Sequence, residues 1–413
     1  MLRLLAGLAV VAAIVVLVFS AALPAGLALA AIVLLGLMFI GRAAATRQIV
    51  GHTPADWPLL ALLALLPVGL WASADLAVTL PRAYAFIAAA ALYWTVAAQG
   101  GWPWLLRYTG WALLLAGFAM ALAVIAATPL AGSAILSPLA QAIRAPLPFL
   151  QPERFNPNLS GQLLAILLAP AAAYALIGER AAPGGRLLRL AAAVLSLLLA
   201  ALLLLTQSRG ALLGLAVALP VMTTLANRRW LWVWVPLGLA GSVAIVILQP
   251  SLSSTLLAGG DALSSAQGRV ELWSRALYLM QDFPFTGVGL GMPERVINLL
   301  YPLFMVGPDS QWMHVHNTYL QIGSEMGIPG LIAFLALLLA VGAALLQTAL
   351  HGRGDEELPT TALGLVGALL VFVVHGLVDA PLASPKLMVL FFGLLGLMAA
   401  VVAPGEAQPA KEL

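Results

Sequence analysis

HNTYLQIGSEMGIPGLIAFLALLLAVGAALL, residues 316–346, joins two kinds of sequence at one seam. From Leu331 to Leu346 it is apolar without a break, and with its flanks it fills 327–349. A run of ~20 apolar residues is what a helix needs to cross a ~30 Å hydrocarbon core. It must be helical, because lipid offers backbone amides no partner. The other half carries His316, Asn317, Tyr319, Gln321, Ser324 and Glu325. The chain has only 5 histidines, yet His314 and His316 both fall at the mouth of this spanning helix. That placement asks for a chemical reason.

The whole chain is built like the second half. Hydrophobic residues make up 62% of it and charged residues 8%, with a mean hydropathy of +1.03. Soluble domains are roughly 25% charged, so this composition belongs in a membrane. Cysteine is absent, which removes disulfides, a thiolate nucleophile and cysteine metal sites. The net charge of +3 comes without a long Lys/Arg run, so no nucleic-acid partner is expected. Met1 to Gly26 resembles a signal peptide but reads as a retained first helix.

The expected fold is all-α, a polytopic membrane protein whose single transmembrane domain covers residues 1–413. Spans are expected at 4–20, 23–41, 57–72, 83–99, 104–127, 158–178, 189–206, 210–226, 230–249, 327–349, 360–377 and 386–403, roughly twelve helices, of which 57–72 is short. With the N-terminus inside, Arg42, Arg47, Arg107, Arg180, Arg186, Arg189, Arg228, Arg229 and Arg353 fall on the cytoplasmic side. Both termini then lie there too. Arg82, Arg144, Arg154, Arg209, Arg269, Arg275, Arg295 and Lys386 remain outside, against the bias.

Two outer segments interrupt the pattern: a proline-rich stretch at 128–157 and a large loop at 250–317. Within the loop, GRVELWSRALYLMQD (268–282) sets Val270, Trp273, Leu277 and Met280 at helical spacing, an expected apolar stripe. FPFTGVGLG (283–291) is a turn-rich break, and PERVINLLYPLF (293–304) begins with proline at a first helical position. Such amphipathic helices can lie on the membrane surface as a lid.

The candidate site residues are polar groups at this outer face. Arg209 interrupts leucine-rich sequence in TQSRG (206–210). It is either a snorkelling helix end or a two-pronged donor for phosphate. Arg269 opens an amphipathic helix, where free amides and the helix dipole favour an anion, or it is a solvated loop residue. Arg275 and Arg295 are weaker candidates for the same task, with Asn317 and Gln321 as neutral substrate contacts. His316 can exchange a proton near neutral pH, or it is an interfacial histidine without chemistry. No carboxylate cluster near His314-Val-His316 in the sequence completes a metal site, so no metal or other cofactor is expected. His375 and Asp379 mark a second polar place, read as structural or cavity-lining. Arginines beside a histidine suit a lipid-borne phosphate.

His316-Asn317 followed by Gly327 and Gly330 is similar to the H-[NSQ]-x9-G-x-x-G pattern of the O-antigen ligase (WaaL) family, and RGALL (209–213) resembles its R-x3-L pattern. GRVELWSRAL to PFTGVGLG (268–291) and FNPNLSGQLLAILLAP (155–170) resemble the wider ligase/polymerase (Wzy-like) superfamily. The resemblance covers about 155–330. It implies a metal-independent, inverting glycosyltransferase of the GT-C kind in the bacterial inner membrane, with a large periplasmic loop. The donor would be a glycan on undecaprenyl diphosphate and the acceptor a lipid A–core sugar hydroxyl, both presented by membrane lipids. On motif position, His316 would be the general base, and Arg209 and Arg269 would hold the diphosphate. A polysaccharide polymerase is the alternative within the superfamily. A lipid-linked glycan flippase is the alternative outside it.

Overall fold

A computed structural model describes residues 53–100, 103–127, 156–178, 185–243, 266–304, 312, 314–351 and 357–403, with isolated positions 37, 40, 41, 44 and 141. It is helical throughout, with no strand among the described residues. The helices are α1 (Asp56–Ala72), α2 (Leu76–Ala97), α3 (Pro103–Ala127), α4 (Pro157–Leu176), α5 (Gly185–Thr206) and α6 (Arg209–Ala226). A further helical stretch covers 231–243. There follow α7 (Ala266–Asp282), α8 (Pro293–Leu300), α9 (Thr318–His351), α10 (Glu357–His375) and α11 (Pro385–Val402).

Seven described helices are long and apolar enough to cross a membrane, and Asp56–Ala72 and Leu387–Val402 are shorter apolar helices. This is a multi-pass membrane protein. The expected spans 4–20 and 23–41, the stretch 128–155 and the loop portion 250–265 lie outside the described residues, apart from the isolated positions named above.

Local capping sets the helix starts: α4 begins at Pro157, beside its expected 158, whereas α2 begins at Leu76, which corrects the expected 83. Asp75 accepts from the Ala77 amide to cap α2, and Asn156 accepts from Leu159 to cap α4 ahead of Pro157. Packing then sorts them around α10. Of its spanning window 72% is buried, against 28% for α6, so α10 is the central post. Leu365, Leu369 and Phe372 face a core shared with α1, α2, α9 and α11. Val371 faces a second core built by α3, α4, α5 and α6. A Cβ on Gly364 would lie 2.7 Å from Pro170 Cα, so only glycine lets α10 and α4 approach this closely.

Above one end of the bundle sits a third core of Leu272, Ala276, Leu279, Val288, Met292, Ile297, Trp312 and Val315. It corrects the expected stripe on α7. Val270 and Leu277 are exposed, and the buried face is Leu272, Ala276 and Leu279. The helix carries apolar residues on several sides, and docking against Trp312 and Val315 chooses among them. The expected span at 327–349 begins where α9 breaks, at Gly327, and a further helical segment from Thr318 precedes the break.

The break is a lock between this cap and the bundle. Gly327 has φ 70°, and the Ile328 amide donates to Pro284 O at 2.7 Å. Val288 and Gly289 donate to Ser324 O and Glu325 O at 2.9 and 3.0 Å. Gly287 has φ +60°, and a Cβ there would lie 2.4 Å from the Glu325 carbonyl carbon. Gly287→Ala is therefore expected to cost about 1–3 kcal/mol from the left-handed strain alone. Gly238→Ala, which meets nothing within 4 Å, should leave stability unchanged or slightly raised. Thermal unfolding of the two variants in detergent, side by side, checks this.

Candidate active site

The turn carrying His316 is held from several sides. Val315 is fully buried in the cap, and its amide donates to Gln321 Oε1 at 2.9 Å. Trp273 Nε1 donates to Val315 O at 3.1 Å and to His316 O at 3.3 Å. His316 itself has φ 53°, a conformation a non-glycine residue keeps only when its surroundings enforce it. Asn317 Oδ1 then accepts from the Tyr319 and Leu320 amides, both at 3.0 Å, and so starts α9.

The same turn is stitched to the end of α10. Asn317 Nδ2 donates to Leu377 O, Thr318 N to Gly376 O, Thr318 Oγ1 to Asp379 O and the Tyr319 hydroxyl to Val373 O, all at 2.8–2.9 Å. Asp379 thereby meets three imidazoles. His316 Nδ1 lies 3.4 Å and His314 Nδ1 3.8 Å from Oδ1, and His375 Nε2 lies 3.6 Å from Oδ2. The His314 and His316 rings meet edge to face, with centroids 4.3 Å apart. Sequence reasoning placed no carboxylate beside the His314–His316 pair. The structure corrects that, since Asp379 faces both rings.

The arginines flank this cluster. Arg269 Nη1 donates to Val378 O at 3.0 Å, while its buried Nε has no hydrogen-bond partner. Arg209 is exposed at the first position of α6. The start of α6 sits on the cluster: a Cβ on Gly210 would lie 2.7 Å from Val378 Cγ2 and 3.0 Å from His375 Nδ1. The side chain of Ser208, the residue before α6, makes no cap bond, and its buried Oγ has no hydrogen-bond partner. The first amides of that helix thus have no side-chain cap from Ser208.

The remaining expected contacts have protein partners. Arg275 Nε donates to Pro302 O at 2.9 Å, its guanidinium lies 3.7 Å from Glu271, and it stands over the Tyr278 and Phe304 rings. Arg295 pairs with Asp75 at the start of α2. Gln321 bridges Val315 N and Glu325 Oε1. Of the expected site residues, the structure brings His316 and Arg269 to the turn after α10 and sets Arg209 next to Gly210, which packs on Val378 and His375. It puts Arg275 and Arg295 on structural pairs and gives the Asn317 and Gln321 side chains positioning work. Asp379 and His375 are the residues the sequence reading set apart. Their signal was the i, i+4 pair His375–Asp379 closing an otherwise apolar helix.

Electrostatics separate the two kinds of group. Burial by itself raises the Asp379 carboxyl, but His316 and His375, with His314 behind them, outweigh it and hold it well below the usual carboxylate range. Burial pushes His314 down to about 4, helped by His316 and Arg269 and opposed by Asp379. At neutral pH the cluster thus holds an anion facing a neutral His314. An Asp379 carboxylate that accepts from His316 Nδ1–H would leave His316 Nε2 as a proton acceptor.

Residues 194–335 match the Wzy_C family model, described as O-antigen ligase. The matched stretch contains Arg209, Arg269 and His316 and stops short of His375 and Asp379. No curated protein matches the chain.

The lowered His314 has a thermodynamic signature. Its folded pKa of about 4 lies below the ordinary 6.5, so between these values the unfolded chain binds more protons. The stability is complete above pH 6.5 and is lost as pH falls toward 4, by roughly 2–3 kcal/mol for this one group. His314→Gln should flatten that part of a stability–pH curve measured by thermal unfolding.

Proposed function

Starting from the family match over residues 194–335, we propose that this protein is a glycosyltransferase of the GT-C kind that moves a glycan from undecaprenyl diphosphate to a sugar hydroxyl of lipid A–core. The reaction takes place at the periplasmic face of the inner membrane, without a metal and with inversion at the anomeric carbon. The observation that carries this reading is the meeting of His316, Asp379 and Arg269 beside the start of α6, where Arg209 stands.

The chemistry follows from the charges. His316 Nε2 removes the proton of the acceptor hydroxyl as its oxygen attacks the anomeric carbon. The bond from that carbon to the diphosphate oxygen breaks on the opposite face, and its electron pair leaves with the diphosphate. Arg209, Arg269 and the first amides of α6 face the negative charge that develops there. The imidazolium formed at His316 faces the Asp379 carboxylate, which His375 steadies from its other oxygen. Asp379 acts through His316 and is a positioning residue.

A helix-mouth location suits both substrates, since each keeps a lipid tail in the bilayer and offers its reacting group at the interface. The match supports ligase and polymerase alike, and a polymerase would use another lipid-linked glycan as acceptor. A flippase would carry its polar groups near the bilayer midplane. Here they gather at the end of α10 and the start of α6.

The test is a reconstituted reaction in EDTA with undecaprenyl-diphosphate glycan, with and without lipid A–core. Product should require the lipid acceptor. His316→Ala should lower turnover by on the order of 10²–10⁴, and Arg209→Ala by about 10²–10³. Asp379→Asn should lower kcat while leaving the KM for the donor unchanged. Elongation of the donor without added acceptor would make the protein a polymerase, and full activity in His316→Ala would sink the assigned base.

A further inference from the structure

We propose that His314, His316 and Asp379 form a binding site for one divalent transition-metal ion of the zinc or cobalt kind, and that filling it silences His316. One nitrogen of each imidazole and one oxygen of Asp379 lie within 4.8 Å of one another. A metal with bonds of about 2.0–2.2 Å in tetrahedral geometry needs ligand separations near 3.3 Å. The His316 to Asp379 edge already measures 3.4 Å and the His314 to Asp379 edge 3.8 Å. The third edge, between the two imidazole nitrogens, lies within 4.8 Å, and ring rotation closes it.

The donor set points to the class of ion. Two imidazoles and one carboxylate suit borderline metals such as Zn²⁺ and Co²⁺, and are a poor match for Mg²⁺ or Ca²⁺, which prefer oxygen. His316 Nδ1 is buried and faces only Asp379 Oδ1 at 3.4 Å, so a metal there replaces the proton shared along that edge and keeps Asp379 as a ligand. His314 Nδ1 gives up only a 3.3 Å contact from the His316 amide. The supporting shell is in place: Asp379 Oδ1 accepts from Ala380 N at 2.9 Å and Oδ2 faces His375. Three protein ligands leave a fourth position for water. Arg269, held beside the cluster by its bond to Val378 O, opposes the cation and weakens its binding.

Silencing follows from tautomerism and rests on the transfer reading. A neutral imidazole holding a metal through Nδ1 carries its proton on Nε2. Nε2 then donates and cannot take a proton from a hydroxyl, and Asp379 is drawn to the metal. The metal is an inhibitor here, and a chelator restores the base.

The test uses the full chain without a polyhistidine tag, in detergent micelles, titrated with Co²⁺ followed by visible absorption and with Zn²⁺ followed by calorimetry. Saturation at one ion per chain with tetrahedral cobalt bands is expected. His314→Gln and Asp379→Asn should weaken binding by at least about tenfold, and His351→Gln should not change it. Near-UV circular dichroism establishes that each variant is folded. Absence of saturable binding below millimolar Co²⁺, or binding that survives His314→Gln, overturns the site. In the transfer reaction, saturating Zn²⁺ should abolish turnover and EDTA should return it. Binding without inhibition overturns the silencing step. Absence of transfer even in EDTA overturns the transfer reading and the silencing together, while the Co²⁺ titration still decides the site.

Discussion

The last carbonyls of a helix have no partner within it, and in this protein the helix in question is the central post of a membrane bundle. The turn at 376–379 meets part of that need, since its amides donate to Phe372 O, Val374 O and His375 O. The carbonyls of Val373 in α10 and of Gly376, Leu377, Val378 and Asp379 in the turn are in turn taken by Tyr319, Thr318, Asn317, Arg269 and again Thr318. An unmet carbonyl in a low-dielectric place costs several kcal/mol, so these bonds are obligatory. The residues that meet the obligation are the neighbours of His316 and the arginine of α7. Holding the turn that ends α10 and assembling the site are the same event.

That arrangement also explains how an anion persists at 14% exposure in so apolar a chain. Asp379 is surrounded by His314, His316 and His375 and lies next to a turn whose Val378 carbonyl already holds Arg269. The start of α6, the positive end of its dipole, packs against His375 through Gly210. Imidazoles from the 314–316 turn and from α10 thus converge on one carboxylate. Arg209 is left exposed and the buried Nε of Arg269 is left without a hydrogen-bond partner, two donors to which a second anion can bind.

Proton acceptance and metal binding draw on the same lone pairs. With Asp379 holding His316 Nδ1–H, the ring offers Nε2 as a base; with a cation at Nδ1 it cannot. One cluster therefore supports two exclusive states, and the occupant of a site only a few ångströms across selects between them.

Sequence alone determined the solvent, and with it the helical class, because 62% hydrophobic residues in long blocks admit no other way to satisfy a buried backbone. It also marked His316, Arg209 and Arg269, since charge and histidine are conspicuous where nearly everything else is apolar. It misjudged the buried face of α7, because that helix has apolar residues on several sides and only the contact with Trp312 and Val315 picks one. It began the tenth span at 327, where α9 breaks, but left out the helical segment from Thr318, which is joined there by contact with the Pro284 carbonyl across the chain. Asp379 stood in plain view but apart, more than sixty residues beyond His316. Periodicity reads neighbours along one helix, whereas this pairing depends on which carbonyls a distant helix end leaves unmet, and only the folded chain decides that.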